Sequence, residues 1–284
     1  MGHAIYAAEP AFRALADACL ALLPAELAAQ VRLAAFADPA EAGAEAEALL
    51  ARTEVAQPAL FVHQYALARL LLDWGLRPAG LLGHSLGEIV AAALAGVLTP
   101  PDAIQLVVRR ARLMQDSAEG AMLQAELPAA ELAALLPDGL AIAACNGPAL
   151  TVAAGPVAQV EAFAAQLDAR GVAWQRLRGR HAFHSPAMAP AAAALRPWLA
   201  TLTAHPPQWP LLSNLDGGWM SDAEAVDPQR WARQLCAPVQ FAPALAELAG
   251  RPGALLLEIG AGTTLAAFAR QAGLAALSLP AAAI

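Results

Sequence analysis

The sequence predicts an α/β protein in two parts, a larger part with a parallel sheet and a smaller part inserted within it. Two stretches carry this reading. In Gly80 to Gly96, the apolar pair Leu81-Leu82 suits a short buried strand. Gly83-His84-Ser85-Leu86-Gly87 then forms a G-x-S-x-G turn, and Glu88 to Ala95 is an unbroken helix former. From Ala121 to Arg178, strand and helix signals run in the order βαββαβ, the ferredoxin-like pattern. The expected fold is an α/β-hydrolase-like large subdomain, residues 1–120 and 181–284, with an inserted ferredoxin-like small subdomain at residues 121–180.

Taken in order, Ala11 to Ala35 reads as helix broken near Leu22-Leu23-Pro24, and Ala40 to Ala51 as a solvated helix. Gln57-Pro58 opens a helix to about Trp74 with Pro58 in its first turn, and Pro100-Pro101-Asp102 starts another through about Met114. The inserted part has strands at Ala121–Leu127, Leu140–Cys145, Leu150–Ala154 and Val172–Leu177. Its helices are at Ala129–Leu136 and Val157–Arg170. The turn Asn146-Gly147-Pro148 joins its middle strands. Ala187 to Leu202 is largely helical, Pro210–Ser213 and Ala254–Ile259 are strands of the main sheet, and Gly260-Ala261-Gly262 leads into a last helix from Thr263. The Ala-rich tail from Gln271 carries no pattern and is expected to fray.

Composition narrows the function. Of 284 residues 58% are hydrophobic and 14% charged, which allows a sizeable core. All 17 basic residues are Arg, and the net charge of −7 offers no basic face for nucleic acid. The longest uncharged run, Gly139 to Val160, contains Asn146, Pro148 and Pro156 and is not a membrane span. The N-terminus has no basic region before an apolar one, so no signal peptide is expected. Cys19, Cys145 and Cys236 are scattered thiols of a reducing compartment; a cytoplasmic protein without a metal site is expected.

The turn at Ser85 has the form of a nucleophile elbow. A strand passes sharply into a helix, leaving the hydroxyl exposed over a helix N-terminus whose free N–H groups suit an oxyanion. Small residues at Gly83 and Gly87 are read as letting the two elements approach. Of six histidines, His181 and His184 share the compact loop His-Ala-Phe-His-Ser-Pro, and either could serve as general base. His84, next to Ser85, should point away from it. Arg109 and Arg110 follow on the next helix, where a guanidinium fork could hold a carboxylate.

These pieces resemble the malonyl-CoA:acyl carrier protein transacylases and the acyltransferase domains of modular polyketide synthases. The matching residues are Gln57-Pro58-Ala59-Leu60, Gly83 to Glu88, Arg110 with Arg112-Leu113-Met114, Ala144-Cys145-Asn146-Gly147-Pro148 and His181 to Pro186. Gln234-Leu235, Pro238-Val239-Gln240-Phe241 and Leu257-Glu258-Ile259-Gly260 complete a set that spans nearly the whole chain in order. The resemblance implies Ser85 as the acyl-carrying nucleophile and His184 as general base, oriented by a backbone carbonyl at Gln234. It implies Arg110 for the free carboxylate of a malonyl-type group, Leu86 for an oxyanion N–H, and Gln57, His84 and Phe183 about the substrate. Phe183, in His-Ala-Phe-His, goes with malonyl rather than methylmalonyl selection, and its bulk would occupy the space of a 2-methyl group.

The implied activity is transfer of malonyl from malonyl-CoA, through a Ser85 ester, to the phosphopantetheine thiol of an acyl carrier protein. The setting is polyketide or fatty acid biosynthesis, either alone or as part of a larger synthase. No cofactor, nucleic acid or membrane is expected to take part. The alternatives are an acyl hydrolase of the same fold and a non-catalytic remnant acting as scaffold. The motive for the last is one departure. The family begins with an apolar strand ending Phe-Pro-Gly-Gln-Gly, whose Gln gives a second oxyanion N–H, and that motif does not occur here, where Met1-Gly2-His3 matches the segment just after it. A central strand and one oxyanion donor are therefore expected to be lacking.

Overall fold

The computed structural model describes residues 1–279. Ala-rich segments with regularly spaced large apolar residues open the chain as helices. These are α1 (His3–Ala8), α2 (Pro10–Leu20), α3 (Ala25–Phe36), α4 (Pro39–Leu50) and α5 (Thr53–Asp73). Prolines sit at the first position of α2 and α4, where their missing N–H costs nothing. Pro24 separates α2 from α3. α4 buries no residue, in keeping with its Ala/Glu composition.

One boundary differs from the sequence reading: α5 starts at Thr53, so Pro58 lies inside it rather than in its first turn. The Thr53 amide donates to Gln115 Oε1 at 2.7 Å, and Pro58 is itself buried. Tertiary packing thus outweighs the loss of one helical hydrogen bond.

β1 (Leu81–Leu82) leads through the elbow into α6 (Leu86–Leu94), and α7 (Pro100–Gln115) follows, with the Thr99 hydroxyl accepting from Asp102 N–H at 3.2 Å. The small part contains β2 (Ala121–Ala125), α8 (Ala129–Leu135), β3 (Ala141–Gly147), β4 (Leu150–Gly155), α9 (Val157–Ala169) and β5 (Trp174–Arg176). The chain continues through α10 (Ala189–Leu199), β6 (Leu211–Leu212), α11 (Asp222–Ala225), α12 (Pro228–Arg233) and β7 (Val239–Gln240). It ends, within the described residues, in α13 (Phe241–Ala249), β8 (Leu255–Ile259), α14 (Thr264–Gln271) and β9 (Ala275–Leu279).

Strand order in the small part is β5-β2-β4-β3, all antiparallel, with β7 added parallel to β3 at the far edge. In the large part β1 pairs in parallel with β6, Leu81 opposite Leu211, and β8 pairs in parallel with β9, Leu255 opposite Ala275. The two pairs are not hydrogen-bonded to each other. β9 corrects the expectation of a frayed tail: Ala275–Leu279 is extended and paired, and a five-residue Ala-Ala-Leu-Ser-Leu run without β-branched or aromatic residues is too weak a pattern to announce it. The remainder of that tail, 280–284, lies outside the described residues.

The largest core cluster packs Leu86, Ile89 and Val90 of α6 against Phe61 and Val62 of α5 and Ile104 and Val107 of α7. Each such side chain contributes about 1.5–3 kcal/mol relative to exposure. A second cluster joins Ala143 and Ala144 of β3 to Phe241 and Leu245 of α13, with Leu82 of β1 against it, and so ties the two parts together beside the elbow. Among the described residues no helix is long and apolar enough to cross a membrane.

The two elbow glycines prove unequal. A Cβ on Gly83 would lie 2.1 Å from Glu88 N and from Gly87 C, whereas one on Gly87 would meet nothing within 4 Å. Only Gly83 is required for close approach, which corrects the paired reading. Gly83→Ala should therefore cost at least about 3 kcal/mol. Gly87→Ala should leave stability within about 1 kcal/mol of the parent. Urea unfolding of the two variants checks this, and equal losses would contradict it.

Candidate active site

Ser85 occupies the turn between β1 and α6 with φ 53° and ψ −111°. A side chain at such angles costs on the order of 1–3 kcal/mol and persists only where its surroundings hold it. Here they do. The Ser85 N–H donates to Asn214 Oδ1 at 2.7 Å, and the Ser85 carbonyl accepts from Gln234 Nε2 at 2.8 Å and Glu88 N–H at 3.0 Å. Asn214 Nδ2 donates to the Gly83 carbonyl at 2.6 Å, so one side chain clamps both sides of the turn. The β1–β6 pairing delivers Asn214, which follows β6 in the chain. With the Gly87 amide donating to the His84 carbonyl, the Leu86 amide, first in α6, has no acceptor within the helix and is the elbow's available donor.

The residues left two candidates for the base, and the geometry separates them. His184 Nε2 lies 2.6 Å from Ser85 Oγ, which donates to it. His184 Nδ1 donates to the main-chain carbonyls of Gln234 at 2.9 Å and Ala237 at 3.1 Å, fixing the tautomer without a carboxylate. His181 faces the Ala118 carbonyl at 3.4 Å and packs at a tilt against Phe183, with ring centres 5.7 Å apart. His184 also has a positive φ, 56°, and the loop is held by Ser185, whose hydroxyl donates to the Ala182 carbonyl at 2.7 Å and accepts from Ala187 N–H at 3.2 Å. Burial, then the charge of Arg110, push the His184 pKa down to about 3, against a smaller raising effect of the two carbonyls. The imidazole is therefore neutral at physiological pH and able to take a proton.

Arg110 of α7 is 1% exposed. Its Nη2 donates to Ser85 Oγ at 3.1 Å and its Nη1 to Gln57 Oε1, while Gln57 Nε2 turns to Met114 Sδ at 3.4 Å. Burial lowers its pKa to about 10, partly offset by Glu88, so it remains a cation. Among the described residues no carboxylate forms a salt bridge with it, and its Nε has no partner. Leaving a buried guanidinium without an anion costs several kcal/mol, so the site is poised to receive one. Arg109, its neighbour, instead lies over the Trp198 ring at 4.8 Å.

The cluster thus holds Ser85, His184, Arg110, Gln57, Gln234 and Leu86. His84 lies aside from it: its Nε2 donates to Asn146 Oδ1 at 2.8 Å and its ring packs on Phe241. Half-buried Phe183 packs on the large core beside His184. Sequence reasoning missed Asn214, which clamps the elbow, and Arg230, which forms a buried ion pair with Glu88 at 2.6 Å. A polar Ser213-Asn214 pair straight after an apolar strand was the available signal.

With His184 neutral down to about pH 3, labelling of Ser85 by a small fluorophosphonate should not fall with the midpoint of an ordinary histidine. Expected is a rate that is flat from about pH 8 to about pH 5, measured on folded protein; a fall centred near 6.5 would contradict the assignment. Stability moves differently. The unfolded chain gains a proton at His184 near its ordinary pKa and the folded one does not, so stability declines as pH drops below about 6.5.

A family model described as the acyl transferase domain matches residues 1–284. The chain is 38% identical over 265 residues to a phenolphthiocerol/phthiocerol polyketide synthase protein of Mycobacterium tuberculosis, covering 93% of this chain and 17% of that protein. It thus spans about a sixth of the length of that relative. The acyltransferase domain from the second module of the salinomycin polyketide synthase superposes with a TM-score of 0.88 at 36% identity, covering 99% of this chain and 65% of that one. FabD from Acinetobacter baumannii superposes with a TM-score of 0.76 at 31% identity over 81% of this chain and 77% of its own.

Proposed function

The chain belongs to the acyl transferase domain family, and from that premise we propose that it moves a malonyl group from malonyl-CoA, through a Ser85 ester, to the phosphopantetheine thiol of an acyl carrier protein within a larger polyketide synthase. The observation that carries the malonyl reading is Arg110, a buried cation beside Ser85 Oγ that lacks a carboxylate partner among the described residues. A malonyl half-ester supplies that partner at the distance of one acyl group from the nucleophile. A hydrolase of neutral acyl groups has no use for such a charge.

Ser85 Oγ gives its proton to His184 Nε2 and attacks the thioester carbonyl carbon. The resulting oxyanion is held by the Leu86 amide. The C–S bond breaks, coenzyme A takes the proton from His184 and leaves as the thiol, and a malonyl-serine ester remains with its carboxylate on Arg110. The phosphopantetheine thiol of the carrier then gives its proton to His184, and its sulfur attacks the ester. Ser85 Oγ departs and recovers the proton. Gln57 keeps the Arg110 fork aimed at Ser85. Phe183 beside His184 disfavours a 2-methyl substituent by about 1–3 kcal/mol, a preference rather than an absolute choice.

Arg110→Ala tests the reading. Acylation of Ser85 by malonyl-CoA should fall by at least about 30-fold while acylation by acetyl-CoA is kept or rises, as removal of one member of a buried charge pair predicts. Competition labelling followed by peptide mass spectrometry measures the ratio. An unchanged malonyl-over-acetyl preference would refute the role of Arg110.

A further inference from the structure

Glu88 has no step in that scheme, yet it is 2% exposed and its carboxylate accepts from three separate residues. Its Oε1 accepts from Arg230 Nη2 at 2.6 Å and from the Asn214 main-chain N–H at 3.0 Å. Its Oε2 accepts from Gln234 Nε2 at 2.8 Å. Arg230 Nη2 also donates to Ser213 Oγ at 3.0 Å. These partners come from the end of β6 and from α12, far from Glu88 in sequence, and converge on the first turn of α6.

Two partners of Glu88 then touch the reacting pair. Asn214, held through its main chain, clamps the Ser85 amide and the Gly83 carbonyl with its side chain. Gln234, held through its side chain, gives that same amide to the Ser85 carbonyl and gives its own main-chain carbonyl to His184 Nδ1. One carboxylate thus braces both main-chain flanks of Ser85 and the residue whose carbonyl faces His184 Nδ1. The charge of Glu88 is matched by Arg230, with which it forms a buried ion pair.

We propose that Glu88 is a positioning residue for acyl transfer, setting the Ser85 hydroxyl and the His184 ring against each other through Asn214 and Gln234; only its choice of substrate rests on the malonyl reading above. A carboxylate is required here because it accepts from three donors at once. The amide of Glu88→Gln would turn an NH2 toward either Gln234 Nε2 or the Arg230 and Asn214 donors. Such a clash displaces either Gln234 from the Ser85 carbonyl or Arg230 and the Asn214 main chain from their places.

The test compares Glu88→Gln and Gln234→Met with the parent at a temperature where circular dichroism shows each folded. Gln234→Met keeps the main-chain carbonyl to His184 and the Glu88–Arg230 pair and removes only the side-chain link, so it decides the matter if Glu88→Gln does not fold. Read out are the rate of Ser85 labelling by a small fluorophosphonate, and kcat and KM for malonyl-CoA. Expected is a fall of about tenfold to hundredfold in labelling and in kcat, the effect of a small misplacement of reacting groups. KM should stay within about twofold, since no contact to substrate is lost. A purely structural Glu88 would lower the melting temperature and leave both rates alone, so a folded variant of either kind that labels within about twofold of the parent overturns the proposal. If the parent reacts with the phosphonate but not with malonyl-CoA, the malonyl reading falls, and the labelling rates still decide the role of Glu88.

Discussion

Ser85 is held at backbone angles that an L-residue avoids, and much of the large part of the molecule is arranged to keep it there. The turn is tight enough that Gly83 admits no side chain against the first turn of α6. Its main chain is gripped on both sides, by Asn214 from the end of β6 and by Gln234 from the end of α12. The β1–β6 pairing and the packing of α6 against α5 and α7 matter because they bring those two side chains to the same peptide. In return the strained turn presents the hydroxyl to His184 with the free Leu86 amide next to it.

Charge follows the same arrangement. Glu88 and Arg230 neutralise each other within the buried network under the elbow, and His184 is kept neutral by burial and by the nearby guanidinium. Among the described residues Arg110 is left without a carboxylate in a salt bridge, donating to Ser85 Oγ and steadied by Gln57. On the proposed reading an acyl group with a free carboxylate completes that arrangement, and a neutral one leaves it incomplete.

Much of this was legible in the residues. The elbow announces itself because a G-x-S-x-G turn needs a strand before and a helix after, and both are local patterns. The small part could be read because its strands and helices follow each other closely in sequence. The choice between His181 and His184 was not legible from the residues alone, since both lie in one short loop and only the fold sets one against Ser85. Asn214 and Arg230 could not be set against the elbow from the residues because Ser85 and Glu88 lie more than 120 positions away from them, and a polar residue reads as surface until the fold buries it. Pro58 misled for a related reason: local chemistry favours a helix start there, but α7 offers Gln115 to an earlier amide.

On the proposed reading a malonyl group rests on Ser85, held by Arg110, on its way to a carrier thiol. Intact-mass spectrometry tests this most directly: the protein is mixed with malonyl-CoA, freed of excess donor, and then given a holo acyl carrier protein. Expected is a gain of one malonyl group that maps to Ser85, is lost on adding the carrier and reappears on the carrier's phosphopantetheine. A folded protein that gains no mass, or that releases free malonate to water and leaves the carrier unmodified, would contradict it.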